Sequence, residues 1–400
     1  MKNFLVALLT LTSSAALAQT AETPTPTQEE TPTTPSTDDR LTTAEGKIAA
    51  IEEGNIETKS DLSALKRLKL SGYIQARYQA QQSLDETGAG GFNRFLVRRG
   101  RLKATYTGDI AAYMLQIDAT TSGVSLKDAE ATLFIPGTKQ MMSLTMGQTK
   151  WPFGYEGPQS SGDREFPERS LVVRSFLPGE RDLGAKFNGR YGVFRLSAGL
   201  FNGNGTANTN FIGTDNDKEK DLVGRAGFDL KWLSGGVSGW RGLTLGKRTG
   251  ATPDAYRMAY VRSRIGADVQ AYLDLLPIGG TALKAEYMTG RTYQRGGLEQ
   301  FGVPASGWWA LLVQNIGLSD AVAVRYDYFD YENGIEATEA DDKLGANNAV
   351  GTLGLQAMHY FGENLKVSVT YELPMTATAT GGTVEDPKDN LFTLQFQARF

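Results

Sequence analysis

The sequence contains no cysteine and only one histidine, His359, among its 400 residues. The lack of cysteine excludes disulfide bonds, thiolate zinc sites, iron–sulfur clusters and a cysteine nucleophile. A single histidine excludes a metal site built from several imidazoles. The net charge of −4 also argues against a general nucleic-acid-binding protein, which needs a basic face. The composition therefore predicts no metal, no cofactor and no nucleic-acid partner.

Long hydrophobic runs are missing as well. After residue 18, no stretch approaches the ~18 consecutive apolar residues that a transmembrane helix needs. The chain is nevertheless rich in glycine, with 46 residues, and 10% of its residues are aromatic. This combination is unusual for a helical membrane protein and favours a fold built from strands and turns.

The N-terminus has the pattern of an export signal. Lys2 precedes an apolar run over 4–11, and an Ala-Leu-Ala cleavage site ends at residue 18. We predict a cleaved signal peptide over 1–18, because the apolar run is too short for the alternative, an uncleaved anchor that spans ~30 Å. Residues 19–39 are rich in Thr, Pro and Glu and predict a disordered linker.

Residues 40–66 carry a helical pattern. Apolar side chains occupy a and d positions of a heptad at Leu41, Ala44, Ile48, Ile51, Leu62 and Leu65. The pattern predicts a short helix, either as a coiled coil or as one amphipathic helix that packs elsewhere. A coiled coil would make the protein an oligomer.

From residue 67 to 400 the apolar residues recur at every second position. Segments of ~10 residues with this period predict a transmembrane antiparallel β-barrel, an all-β fold. A soluble β-sandwich or propeller is the alternative, but charges in the middle of the polar faces favour a water-filled lumen over a packed core. We predict about sixteen strands, over 67–81, 94–107, 109–121, 124–136, 139–151, 181–190, 192–203, 220–232, 238–248, 262–276, 280–292, 306–317, 320–332, 349–361, 363–374 and 389–400.

The connections and the C-terminus fit such a barrel. Short turns alternate with longer loops, at 82–93, 203–219, 293–304, 333–348 and 375–388. The last strand alternates Phe392, Leu394, Phe396 and Ala398 with polar residues. It ends on Phe400, which resembles the assembly signal that the barrel-assembly machinery of bacterial outer membranes recognises.

The second predicted strand is strongly basic. The two-residue period places Arg99, Arg101 and Lys103 on the lumen wall, and strand eight adds Arg225 and Lys231. Guanidinium groups attract anions because they are permanently charged and present forked donors. Acidic residues lie on neighbouring strands, so a mixed lumen of weak selectivity, or charges that hold the wall together, are alternatives. The first 66 residues hold 10 of the 45 acidic and 5 of the 41 basic residues, which leaves the barrel segment close to neutral.

Residues 152–180 form a connection that is too long for a turn and poor in strand alternation. We expect this loop to fold into the lumen as a constriction that carries Arg164, Arg169 and Arg174, although a solvated surface loop is the alternative.

Four motifs together resemble a known family. They are the basic run RFLVRRGRLKATYTGDIAAYMLQID (94–118), LKDAEATLFI (126–135), MGQTKWPFGYE (146–156) and GLFNGNG (199–205). In content, order and spacing they look like the phosphate-selective porin O and P family. The resemblance implies a trimeric, sixteen-stranded pore. It matches Arg99, Arg101, Lys103 and Lys150 by motif, whereas the family's long arginine ladder has no counterpart in this sequence.

Three functions follow as hypotheses. The first is a passive outer-membrane porin for small hydrophilic solutes, preferring anions such as phosphate. The second is an enzyme on a barrel scaffold, for which His359 is the only histidine candidate; its aromatic setting favours a structural role instead. The third is a weakly selective porin that also tethers the envelope through its N-terminal helix. We predict the first, with outer-membrane lipid around a homotrimer.

Overall fold

The computed structural model describes residues 46–47, 51–53, 66–82, 91–206, 218–247, 257–295, 298–333, 349–375, 378–380, 383–385 and 389–400. The chain divides into two units, 1–62 and 63–400. In the first unit the described residues are helical. The signal peptide, the linker and most of the helix predicted over 40–66 lie outside the described residues and stay predictions.

The second unit is a closed antiparallel barrel of sixteen strands, as predicted. Fifteen strands follow one another along the chain, and the sixteenth closes the barrel against β1. The first eight are β1 (Leu68–Gln81), β2 (Phe92–Thr107), β3 (Ala111–Thr120), β4 (Gly123–Phe134), β5 (Met142–Lys150), β6 (Arg181–Tyr191), β7 (Phe194–Phe201) and β8 (Asp221–Asp229). The next seven are β9 (Leu233–Lys247), β10 (Arg257–Leu276), β11 (Gly279–Arg295), β12 (Leu298–Ile316), β13 (Asp320–Asp330), β14 (Ala349–Phe361) and β15 (Leu365–Met375).

A small hairpin precedes the closing strand. It consists of β16 (Thr378–Thr380) and β17 (Thr383–Glu385), and β18 (Leu391–Arg399) then completes the barrel. A six-residue helix, α1 (Leu171–Phe176), lies in the connection between β5 and β6. No helix in the described residues is long and apolar enough to cross a membrane.

Polar and apolar side chains alternate along each strand, so that one face of the strand lines the lumen and the other forms the outer wall. In β18, Thr393, Gln395 and Gln397 are almost fully buried toward the lumen, while Phe396 is 48% exposed on the outer wall. In β13, Arg325 and Asp327 face inward and Val324 faces outward. The two-residue period read from the sequence therefore assigned these faces correctly.

Several predicted strand boundaries are wrong in the same part of the barrel; β10, for example, begins at Arg257 and not at residue 262. β9 begins at Leu233, because its glycines at 235, 236 and 239 pair with β8 and β10 without producing any apolar alternation. The long loop predicted over 293–304 is mostly strand, since β11 and β12 continue to pair from Tyr293 to Arg295. Paired backbone hydrogen bonds extend these strands where side-chain periodicity gives no signal.

The barrel closes at its C-terminus against a glycine. The N–H of Gly72 donates to the carbonyl of Phe400 at 3.0 Å, and the N–H of Phe400 donates to the carbonyl of Gly72 at 3.1 Å. A β-carbon on Gly72 would lie 2.3 Å from the carbonyl oxygen of Arg101 and 2.4 Å from a ring carbon of Phe400. The terminal aromatic ring therefore covers a position that only glycine fits.

We expect Gly72→Ala to weaken this closure. The added methyl group forces the Phe400 ring or the β1–β2 pair to move, and overpacking of this kind costs about 1–3 kcal/mol. The measurement is the free energy of unfolding in urea, with barrel formation followed by heat-modifiable gel mobility. Gly239→Ala is the matched control, because no atom lies within 4 Å of the β-carbon position at Gly239. Equal stability of the two variants would contradict this account.

Candidate functional site

The segment between β5 and β6 enters the lumen, as expected for a constriction. Its residues contact lumen-facing side chains from strands that are far apart around the barrel. Tyr73 of β1 is hydrogen-bonded to Ser161 at 2.6 Å, and the amide of Gln397 on β18 donates to the carbonyl of Gly162 at 2.9 Å. On another side, Ser238 of β9 accepts a hydrogen bond from the N–H of Gly154. We call residues 151–180 the inserted loop.

An apolar cluster fixes the outer part of the inserted loop. Val172 and Phe176 of α1 are fully buried, and the Phe176 ring packs edge-on against Phe329 at 5.6 Å and Tyr293 at 6.3 Å. These wall residues belong to β13 and β11. A filled hydrophobic patch inside a barrel wall leaves no room for solute there, so this side of the lumen is closed.

The carboxylate of Glu286 on β11 fixes the loop backbone. It accepts hydrogen bonds from the N–H groups of Tyr155 at 2.9 Å and Glu156 at 3.1 Å, and from the indole N–H of Trp309 at 3.1 Å. Glu156 in turn accepts from the N–H and hydroxyl of Ser170. The first part of the inserted loop is thereby joined to the wall and to the residue that precedes α1.

The central anchor is a carboxylate that three arginines surround. Glu168 forms ion pairs with Arg77 at 2.7 Å, Arg98 at 2.7 Å and Arg99 at 3.2 Å. Arg98 and Arg99 are neighbours in sequence, yet both reach Glu168. This is because a β-bulge in β2, opposite residues 75 and 76, interrupts the alternation. The basic second strand thus holds the inserted loop.

The arginines also set the protonation state of Glu168. Burial alone would raise the pKa of this carboxyl group, but the positive charges of Arg99, Arg77 and Arg98 outweigh that effect and hold the pKa well below its usual range. A depressed carboxyl pKa stabilises the anchor at all pH values above the unfolded-state pKa, and the stabilisation is lost only as the pH falls toward the folded-state pKa.

We therefore expect the channel conductance to stay constant between pH 7 and pH 5. In this range Glu168 remains charged in the folded barrel, so the inserted loop keeps its position. The measurement is single-channel conductance at constant salt concentration. A stepwise rise in conductance above pH 5 in the wild type, absent from Glu168→Gln, would contradict this expectation. It would show that Glu168 becomes protonated at a higher pH than the surrounding arginines allow.

Most of the predicted basic residues of β2 and β8 are paired. Arg101 lies 3.2 Å from Asp118, and Arg225 binds Asp268 with two hydrogen bonds of 2.9 and 2.6 Å. Lys103 forms no ion pair among the described residues. The charges of Arg99 and Arg101 are accordingly balanced by carboxylates, and their role as pore-lining residues stays a prediction.

Lys231 is not on the barrel wall. β8 ends at Asp229, and Lys231 is exposed in the short turn before β9. The sequence was misleading here because apolar and polar residues keep alternating through Leu230, Lys231 and Trp232 after the strand has ended. This places a predicted pore-lining residue at the rim instead.

The three arginines of the inserted loop differ in their surroundings. Arg169 is buried and donates to the carbonyls of Glu156, Gly157 and Gln159, and it also pairs with Glu180. Arg164 is 2% exposed, and burial together with the charge of Arg169 lowers its pKa to about 9, which leaves it charged at neutral pH. Only Arg174, at the end of α1, is exposed.

An open cavity lies beside the inserted loop. The cavity, of about 660 Å³, runs between the loop residues near Tyr155 and Pro158 and the walls of β5 to β8. Its lining includes five basic residues and no acidic residue: Lys150, Lys186, Arg190, Arg195 and Arg225. We call this cavity the basic passage.

Lys150 stands at the edge of the inserted loop in this passage. Its ammonium group donates to the carbonyl of Pro158 at 2.7 Å and has no carboxylate within ion-pair distance among the described residues. Lys186 lies beside it, hydrogen-bonded to the Thr149 hydroxyl at 2.6 Å, with Glu130 3.9 Å away. These two lysines therefore place positive charge on the wall of the basic passage.

Sequence reasoning missed Lys186 and Arg77. Both follow from the same alternation: Gln75, Arg77 and Gln79 form one polar face of β1, and Lys186 lies between the outward residues Ala185 and Phe187. Their partners could not be inferred, since they come from other segments.

His359 is not part of a catalytic arrangement among the described residues. Its Nδ1 lies 2.7 Å from the carboxylate of Asp320, its ring packs 4.3 Å from Phe361, and no described serine is hydrogen-bonded to it. The described residues also hold no group of three His, Asp or Glu side chains suited to a metal ion.

Comparison with known proteins shows what this barrel is similar to. Residues 68–242 match the family described as phosphate-selective porin O and P, which confirms the resemblance read from the sequence. No curated protein matches the chain in sequence.

Several solved structures share the fold. The anion-selective porin from Comamonas acidovorans is 13% identical, with a TM-score of 0.58 over 83% of this chain and 99% of that chain. The outer-membrane channel DcaP of Acinetobacter baumannii is 12% identical, with a TM-score of 0.59 over 83% and 97% of the two chains. The trimer form of OmpT from Vibrio cholerae is 11% identical, with a TM-score of 0.56 over 83% and 99%.

Proposed function

We propose that this chain, whose residues 68–242 match the phosphate-selective porin O and P family, is an outer-membrane porin that passes small hydrophilic anions by diffusion. A sixteen-stranded barrel is wide enough for an aqueous channel. The match to porins in sequence and in fold supports the channel function, and the predicted export signal supports the outer-membrane location.

The observation that carries the anion preference is the basic passage. Its lining has five basic residues and no acidic residue, and Lys150 has no carboxylate partner among the described residues. A positive wall in a narrow, partly desolvated channel lowers the energy of an anion and raises that of a cation. The ion-pair partners of Arg225 and Arg195 reduce this effect, so we propose a preference for anions of several kinds, phosphate included, without a site dedicated to one.

A homotrimer is part of the proposal. Related folds include a trimeric outer-membrane protein, and the outward face of the barrel is largely apolar. Assembly through the C-terminal strand is supported by the fit of Phe400 over Gly72. A tethering role would depend on the N-terminal residues outside the described part and stays a prediction.

The test is conductance of the purified protein in a planar lipid bilayer. We expect discrete steps of equal size that scale with salt concentration. Well-folded protein, verified by heat-modifiable gel mobility, that inserts without conductance would refute the channel function.

A further inference from the structure

A shallow groove crosses the outer wall of the barrel between β7 and β11. It has a volume of about 570 Å³, and its lining is mostly apolar. The register aligns Ala198, Gly224, Gly239 and Ile265 in one row across four strands. Gly239 has no atom within 4 Å of its β-carbon position, so the groove is open directly above it.

Two charged residues line this groove, and one of them, Arg264, is buried and donates to the carbonyl of Thr292 at 2.7 Å. Arg241 lines it on β9, is exposed on the same outward face as Val237, and has no hydrogen bond or ion pair with any described residue. Two strands further on, Arg291 shares its level, because Ser263 pairs with both residues. Adjacent strands are ~4.8 Å apart, so the two arginine backbones are separated by about 10 Å.

The position of these arginines along the barrel axis indicates which part of the membrane they contact. Ser263 lies between the two arginines and is ten residues from Leu273 along β10. At ~3.4 Å per residue and a strand tilt of ~40°, this separation is about 26 Å along the barrel axis. The apolar band of a membrane barrel is ~25 Å tall. The aromatic pair Tyr287 and Trp308 lies just below the arginines on the same face. Arg241 and Arg291 therefore lie at the level of lipid headgroups. They are at the end of the barrel away from the short turn between β10 and β11, and this end faces outward in outer-membrane barrels.

We propose that this groove binds one acyl chain of a phosphate-bearing lipid of the outer leaflet, whose phosphate pairs with Arg241. A guanidinium group that has no partner among the described residues and lies beside an apolar groove at headgroup depth is complementary to an anionic lipid. A second protein copy is the other occupant to consider. It would bury Arg241 without a described partner, which is costly unless the copy supplies a carboxylate.

The test uses native mass spectrometry of the full-length protein, released from detergent in the presence of lipid A, a diphosphorylated glycolipid. Parallel samples receive zwitterionic phosphatidylethanolamine or inorganic phosphate alone. We expect retained lipid A on the wild-type protein, and little binding of the other two. Arg241→Gln should lower the apparent affinity for lipid A about fivefold, since one basic residue near an anionic headgroup contributes roughly this much.

A second variant tests the groove without changing charge. Gly239→Phe fills the open space and should abolish retention of lipid A, whereas Ala131→Phe, on the outer face of β4, should leave it unchanged. Channel conductance reports whether each variant is folded. Unchanged lipid A retention in both groove variants would overturn the proposal. So would loss of the oligomer in Gly239→Phe, because the groove would then be a contact between protein copies.

Discussion

Replacing Glu168 by glutamine is expected to release the inserted loop and to destabilise the barrel. The change removes the one carboxylate that Arg77, Arg98 and Arg99 share. Arg77 and Arg99 have side chains that are only 1% and 6% exposed, so they would keep their charge in a poorly hydrated position. Removing one partner of such a buried ion pair costs about 3–5 kcal/mol.

The functional consequence follows from the position of the loop. The segment around Glu168 lies between the wall of β1 and β2 and that of β13, whose Arg325 donates to the Glu168 carbonyl. Without the carboxylate, the loop loses its central attachment, and we expect a larger and noisier single-channel conductance together with a lower free energy of unfolding.

Two further variants keep this prediction testable. Glu168→Asp retains the charge on a shorter side chain and should fall between the wild type and Glu168→Gln. Asp109→Asn removes a carboxylate from an exposed pair with Arg67 in a short turn, and should change neither stability nor conductance. If Glu168→Gln behaves like Asp109→Asn, the arginine cluster does not hold the loop.

Lys150→Glu is expected to reduce the anion preference strongly. Lys150 borders the basic passage and has no ion-pair partner among the described residues, so its charge acts directly on passing ions. At ~8 Å and an effective dielectric constant of ~40, one unit charge changes the energy of an ion by about 1 kcal/mol. Charge inversion doubles this change, with opposite signs for anions and cations. We expect the anion-to-cation permeability ratio to fall at least about fivefold.

Lys231→Glu is the matched control for this variant. It makes the same change in net charge, but at the exposed turn between β8 and β9. A charge outside the lumen is screened by salt over ~10 Å at 0.1 M. If both variants shift the permeability ratio equally, selectivity comes from the overall charge of the protein and not from the basic passage.

The sequence allowed the barrel to be predicted almost completely, because a two-residue period leaves its mark on every strand. The outward positions of β13 and β18 and the inserted loop follow from local patterns. The strand ends of β9 and β12 do not, since glycines and paired polar residues extend a ladder without changing hydrophobicity.

The site itself was less predictable, for a physical reason. A row of basic residues is visible in β2, but its partner Glu168 is about seventy residues further along the chain, and only the folded loop brings them together. The β-bulge that turns both Arg98 and Arg99 toward Glu168 likewise depends on pairing with β1. Lys150 and Lys186, which line the basic passage, had weaker sequence signals than the arginines that bind Glu168.

The zero-current potential of the wild-type channel in a potassium chloride gradient tests the central claim most directly. The basic passage predicts a reversal potential displaced toward the chloride equilibrium potential, with Lys150→Glu moving it toward the potassium value and Lys231→Glu leaving it in place. A wild-type potential on the potassium side, or one that Lys150→Glu does not move, would contradict the assignment of selectivity to the basic passage.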